Sequence, residues 1–133
     1  MVCLIFGPIP PGPIPPGPTP APIPAAGLHV LIVEESAERG KLPINQQSII
    51  LGATVRDYLD THCAVEADGK THGYRIWDKD VATNNESQLW QDAMKRQRSS
   101  VPWVVISNGR EGYEGPLPKS VDEMMTLLRR FGG

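Results

Sequence analysis

Ten of the chain's 14 prolines fall between Pro8 and Pro24, and no charged side chain precedes Glu34. Proline fixes its own φ, has no amide hydrogen, and pushes the residue before it out of the helical region. A stretch this dense in proline is barred from helix and central strand, which leaves polyproline II as its main conformation. Residues 7–24 repeat an imperfect pentad: Gly7-Pro8-Ile9-Pro10-Pro11, Gly12-Pro13-Ile14-Pro15-Pro16, Gly17-Pro18-Thr19-Pro20-Ala21, then Pro22-Ile23-Pro24. Glycine recurs every fifth residue, so the collagen helix, which needs it every third, is excluded. At about 3.1 Å per residue the stretch reaches roughly 56 Å when fully extended.

Solvated linkers are rich in Ser, Gly or charge. This arm instead carries Ile9, Ile14 and Ile23, and it follows the apolar residues Val2, Leu4, Ile5 and Phe6. With three residues per turn, a five-residue step rotates the side chain by about 240°, so Ile9 and Ile14 point in different directions. Burying both requires enclosure from more than one side. The spacing of Pro8 with Pro11, and of Pro13 with Pro16, fits an SH3-type ligand, but the basic residue that usually flanks one is absent. Residues 1–26 are therefore expected to be an extended arm that docks on protein, either copies of this chain or another structural subunit. A monomeric adaptor that recruits a proline-binding domain is the rival use.

All 13 basic and 15 acidic residues lie in the remaining hundred or so positions, which suffice for one domain. A net charge of -2 gives no basic field for nucleic acid or anionic lipid. No apolar run approaches the roughly 18 residues of a membrane span. Met1 to Phe6 lacks a basic start and is cut short by Pro8, which predicts no signal peptide and a cytoplasmic protein, or part of a particle assembled there.

Residues 27–133 alternate between strand and helix signals. Leu28 to Val33 is a continuous apolar run of strand length, expected to be buried on both faces. Pro43 suits a first helical turn, and Ile50, Leu51, Val55, Tyr58 and Leu59 recur at helical spacing as far as Cys63. Gly69 and Gly73 bracket a turn into a strand from Tyr74 to Asp78. Asn85 and Gln88 resemble a capping box for a helix with Leu89, Trp90, Ala93 and Met94 on one face. Val101 to Ser107 reads as a third strand, Asn108-Gly109 as a hairpin turn, and the residues around Tyr113 as a fourth strand. Ser120 and Glu123 make a second capping box, opening a helix with Val121, Met124, Met125, Leu128 and Phe131 inward. The order is β-α-β-α-β-β-α, an α/β fold with a central mixed sheet and flanking helices.

Around Val101 to Phe131, VPWVVISNGREGYEGPLPKSVDEMMTLLRRF, the chain resembles the thioredoxin-like family. Pro102 falls where that family has a cis-proline, Asn108-Gly109 where it has the hairpin turn, and Gly115 where it has a glycine ahead of the last helix. The resemblance covers residues 27–133, with the first half matched in pattern alone. It implies a thioredoxin-like fold and a groove at Val101, Pro102 and Trp103 that offers backbone groups to an extended peptide.

The chemistry of that family needs a Cys-x-x-Cys after the first strand, where the helix N-terminus stabilises a thiolate and a second thiol resolves the mixed disulfide. The corresponding window here, Ser36 to Pro43, contains no sulfur. Cys63 closes the following helix, at the end where the dipole disfavours a thiolate, and Cys3 lies in the arm. Both are expected as free thiols, and a redox role moved to Cys63 or Cys3 is the enzymatic rival. His62 beside Cys63, with His29 and His72, lacks the paired spacing of a zinc site. Glu34, Glu35 and Glu38 cluster at a strand end, the usual place for a site in open α/β sheets, and also read as an ordinary solvated loop. Trp77, Trp90 and Trp103 are expected in the core or at its rim. The expectation is a non-catalytic structural or assembly protein with no cofactor and no metal, in a virion or filament, whose partner surface comprises Val2, Leu4, Ile5, Phe6, Ile9, Ile14, Ile23, Val101, Pro102 and Trp103.

Overall fold

The computed structural model describes residues 19–132. Their architecture is organised around one strand, β2 (His29–Glu34), in which every residue is buried. Its apolar run meets two cores at once, because side chains alternate across the pleat. Val30 and Ile32 face one cluster, while Leu31 and Val33 face the other. The remaining strands are β1 (Thr19–Pro20), β3 (Tyr74–Asp78), β4 (Trp103–Ser107) and β5 (Glu111–Pro116). They form a mixed sheet in the order β1-β5-β4-β2-β3. The β2–β3 pair is parallel, and β2–β4, β4–β5 and β1–β5 are antiparallel.

Two helices link the parallel pair, as such a crossover requires. These are α1 (Ile44–Leu51) and α2 (Ala53–His62). The uninterrupted helix expected from the periodicity is split at Gly52, whose extended backbone (φ -80, ψ 168) donates its amide to the Ser48 carbonyl at 2.9 Å. A Cβ at Gly52 would lie 2.5 Å from that same oxygen, so glycine permits the close approach. The break resets the helical phase. Ile49 and Ile50 are buried, whereas Leu51, expected to face inward, is 54% exposed.

The face bearing Val30, Ile32, Val104 and Ile106 is covered by α1, α2 and α4 (Val121–Gly132), with Met124, Met125, Leu128 and Phe131 inward as the spacing predicts. The Ser120 hydroxyl accepts the Glu123 amide at 3.2 Å, the first half of the expected capping box, and donates to the Glu123 carboxylate at 3.4 Å. The opposite face is covered by α3 (Gln88–Lys95) through Trp90 and Ala93. Here the other expected box is absent. Ser87, not Asn85, precedes the helix, and the Gln88 side chain turns to Asp92 at 2.7 Å. Strand β4 starts at Trp103 rather than Val101, since Pro102 has no amide to offer the ladder; the Val101–Pro102 bond is cis.

The largest departure concerns the arm. The sequence predicts an extended arm as far as residue 26, with Ile23 facing a partner. Instead Thr19 and Pro20 pair with Gly112 and Glu111 as an edge strand, the kind of strand that tolerates proline. Ile23 is 1% exposed and packs with Leu31, Val33, Trp90 and Val105. Its backbone is fixed twice by one side chain: Ser107 Oγ donates to the Ile23 carbonyl at 2.9 Å and accepts the Ile23 amide at 3.3 Å. Two glycines make room. A Cβ on Gly112 would strike the Pro22 ring at 2.5 Å, and one on Gly109, which sits at φ +89, would meet the Ala25 carbonyl at 2.8 Å. α3 is eight residues long, and Ile23 and Ala25 pack beside it on the same face, so this part of the segment assigned to the arm lies against the core.

Ile23→Ala should lower unfolding stability by about 2 to 5 kcal/mol, the usual cost of emptying a fully buried aliphatic site. Ile44→Ala, at a position 71% exposed, should change it by no more than about 0.5 kcal/mol. Denaturant titration of the two full-length variants compares them directly.

Candidate functional site

The carboxyl ends of β2 and β3 meet the start of β4 at one edge of the molecule, where an open α/β sheet usually places its site. The segment leaving β2 makes a 3-10 turn, Ser36–Lys41, without a side-chain cap from Glu35. Asp78 at the end of β3 supplies the missing acceptor, taking the Ser36 amide at 2.8 Å and the Ser36 hydroxyl at 2.7 Å through one oxygen, while its other oxygen takes the Asp80 amide at 3.0 Å. Those donors, the Ser36 amide first, bring the Asp78 carboxyl down to about 2.

Glu34 is the buried member of the acidic cluster, at 3% exposure. Arg39 reaches back over the turn and binds it in a fork, Nε to Oε1 at 2.7 Å and Nη2 to Oε2 at 2.5 Å. A buried carboxylate needs such a partner to remain charged. The bond raises the Arg39 pKa further, against the opposing effect of burial. Glu35 is half-buried and Glu38 exposed, the latter holding Lys41 at 3.1 Å. Both oxygens of Glu34 and one of Asp78 are thus engaged in closing the loop, the other Asp78 oxygen holds the Asp80 amide, and an Asp78 carboxyl held near 2 is poorly matched to proton transfer at neutral pH.

Val101, Pro102 and Trp103 lie beside this loop, all half-buried. The Pro102 carbonyl accepts the Leu117 amide at 3.2 Å, but the Val101 amide and carbonyl have no hydrogen-bond partner among the described residues. Continuing the β2–β4 register beyond Val33 and Trp103 puts Val101 opposite Glu35. The Trp103 indole Nε1 is buried without an acceptor among the described residues, and the ring borders a concavity of about 460 Å³ shared with Gln97, Arg98 and Ser99. Of the other expected partner residues, Val2, Leu4, Ile5, Phe6, Ile9 and Ile14 lie outside the described residues, as does Cys3, while Ile23 belongs to the core.

Cys63 is buried and free at the far end of β2, where it bridges Leu28. Six strand residues separate it from the loop, roughly 20 Å at about 3.3 Å per residue. Its thiol is pushed up to about 12, chiefly by burial and secondarily by the negative charge of Asp60. The sequence pointed to the helix end as the cause; desolvation is the larger one. The neighbouring His62 ring stacks on Tyr58 with centroids 3.9 Å apart, and His29 Nδ1 contacts the Gly27 carbonyl at 3.1 Å. Among the described residues no three His, Cys, Asp or Glu side chains converge as a metal-binding group.

Two features escaped the sequence reading. Arg75 on β3 lies 4.7 Å over the ring of the fully buried Trp90, bonds Glu66 at 2.9 Å and pairs with Glu86 at 3.5 Å. Trp90 Nε1 donates to the second Glu66 oxygen at 2.5 Å, so the network ties α3 to β3 and to the preceding loop. An arginine set in a strand between Tyr74 and Trp77 was its only sequence signal. The second is a groove of about 730 Å³ bounded by Tyr113, Pro116, Pro118 and Leu127, assembled from β5, the next loop and α4.

The chain matches no family model, no curated protein and no solved structure. No helix among the described residues is long and apolar enough to cross a membrane.

In a Cys3→Ser background the remaining Cys63 thiol should react with an aromatic disulfide reagent at pH 8 only after denaturant is added. Rapid reaction of the native protein would contradict its burial. Asp78 makes a separate prediction. Its folded pKa is depressed, so its contribution is complete above the unfolded value of about 3.9 and is lost as pH falls toward 2. The stability gap between wild type and Asp78→Asn should therefore be constant near neutrality and close between about pH 4 and pH 2 in an acid titration.

Proposed function

We propose that this chain is a non-catalytic thioredoxin-like domain that serves as a structural or assembly subunit, with its apolar arm as the principal contact to neighbours. The observation that carries the reading is the loop after β2. Where a dithiol enzyme of this kind would expose its nucleophile, the chain has a sulfur-free turn folded onto its own Glu34–Arg39 and Ser36–Asp78 bonds. The strand order β3-β2-β4-β5 with its single parallel pair, the cis bond before Pro102 and the glycine-containing hairpin at Gly109 support the family assignment.

The rival redox reading would need Cys63 or Cys3 as nucleophile. Cys63, buried with its thiol pushed up to about 12, is a poor thiolate source at neutral pH. A role in assembly fits the arm better than a role as linker does, since Val2 to Phe6 with Ile9 and Ile14 are side chains that gain by being covered. The backbone of Val101 beside Trp103, without a partner among the described residues, suits a second contact, the addition of an extended segment from another protein. A virion or filament is the setting in which such a subunit would work.

Light scattering on the full chain tests the reading. Wild type should run at a multiple of 14.5 kDa at high concentration, and the double variant Leu4→Asp, Phe6→Asp should return to the monomer mass with an unchanged circular dichroism spectrum. Trp103→Ala in the same experiment reports whether the second surface contributes. A wild-type protein that stays monomeric throughout would defeat self-assembly and leave the adaptor reading in its place.

A further inference from the structure

We propose that the outer edge of β3 pairs with itself: two copies of this chain join their sheets antiparallel about a two-fold axis at Ile76. Among the described residues the sheet ends on one side at β1 and β5 and on the other at β3. The first edge is blunted by the exposed Pro20 in β1 and Pro116 in β5, a usual protection against strand addition. β3 contains no proline and no bulge, and it keeps one unbroken parallel register with β2 from Tyr74 to Asp78.

In a parallel ladder a residue turns its amide and carbonyl to the same neighbour, and the next residue turns them the other way. The Val30 amide bonds the Gly73 carbonyl at 3.0 Å, and the Lys79 amide bonds the Glu34 carbonyl at 2.7 Å. Residues 73, 75, 77 and 79 therefore face β2, while Tyr74, Ile76 and Asp78 turn outward. The Ile76 amide and carbonyl and the Asp78 amide have no hydrogen-bond partner among the described residues. The other outward groups are in use. The Tyr74 amide bonds the His72 carbonyl at 2.8 Å, and the Asp78 carbonyl accepts the Val81 amide at 3.0 Å. The Tyr74 carbonyl accepts Arg75 Nη1 at 2.9 Å, which leaves it a second lone pair.

That pattern selects the occupant. An antiparallel copy centred on Ile76 sets Ile76 against Ile76, and Tyr74 against Asp78 on either side of the axis. The two Ile76 residues exchange both of their bonds, and each free Asp78 amide meets a Tyr74 carbonyl with a lone pair to spare. The occupied Tyr74 amide meets the occupied Asp78 carbonyl. An unrelated extended peptide would set an unused carbonyl against that Tyr74 amide and forfeit the bond; a copy of β3 forfeits nothing. Side chains agree with the register. Arg75 stands opposite Trp77 and Tyr74 opposite Asp78, so no like charges meet across the strands. The Arg75 charge, which would otherwise oppose a second copy, is turned inward over Trp90 and neutralised by Glu66 and Glu86. The result is an isologous contact that runs one sheet through both copies. The pairing rests on the assembly reading, since a few bonds at one edge are less than a stable interface needs alone and the arms must bring the copies together. What it adds is their relative orientation.

Hydrogen exchange resolved to single amides by mass spectrometry tests the pairing on the full chain, with Val105 in buried β4 as a check on the fold and light scattering on the same samples. The Ile76 and Asp78 amides should exchange at least about tenfold more slowly in the wild-type assembly than in the monomeric Leu4→Asp, Phe6→Asp variant. Ile76→Pro should abolish the protection at Asp78 and keep it at Val105, because the amide it removes faces away from β2. A wild-type assembly in which Ile76 and Asp78 exchange as fast as in the arm variant would overturn the pairing and leave self-assembly standing. Protection in a strict monomer would also overturn it, by assigning the edge to another part of the same chain, and a wild-type monomer with both amides unprotected would remove both proposals. An arm variant that stays a dimer with Ile76 protected would keep the pairing and remove the arm as the principal contact.

Discussion

Strand β2 has no exposed side chain, and the position of every other element follows from what that strand requires to be covered. A half-buried strand could leave one face to solvent. A strand reading His-Val-Leu-Ile-Val-Glu cannot, because both pleat faces are apolar and burial is the dominant favourable term in folding. Three helices suffice for the first face. The second has α3 alone, eight residues long, and the vacancy over Leu31 and Val105 is closed by Ile23. The proline-rich segment is thus drawn into the domain by the same requirement that positions the helices. Ser107, buried at the end of β4, makes the entry tolerable by satisfying both the amide and the carbonyl of Ile23.

Much of this was legible in the sequence where a pattern had a single physical cause. The run from Leu28 to Val33, the amphipathic last helix and the glycine turn after Asn108 each announced themselves, and each is present. Readings failed where a local signal competed with packing. Ile50 and Leu51 fit one helical stripe only if the helix continues, and the close approach of Gly52 to Ser48 ends it. Asn85 is a good capping residue at the wrong place, since Trp90 must reach the core and the helix begins where that geometry allows. Ile23 was the most consequential miss. Composition made it part of an arm, whereas its burial depends on a cavity formed by residues that follow it in the chain.

The candidate site was legible in the same uneven way. That the loop after β2 has no thiol could be read directly. That Glu34 is a buried anchor and not a solvated carboxylate could not, because its partner Arg39 becomes adjacent only through the 3-10 turn. The Glu66–Arg75–Trp90 network joins residues from three separate segments, and no spacing rule brings them together. The groove under Tyr113 was invisible for a different reason: it is made of what Gly115 lacks as much as of what its neighbours present.

The burial of Ile23 also has a mechanical meaning. An arm that ended in a free hinge would let its domain swivel about the junction. Here the described stretch is paired through Thr19 and Pro20 and plugged through Ile23, so from Thr19 to Ile23 the chain is fixed to the sheet. Tension applied to the arm enters the molecule at the β1–β5 edge, where pulling along the strand loads its bonds together, and passes next to the core itself. A subunit connected to others in this way would hold its orientation under load and would give way by losing a piece of its interior, not by stretching a linker.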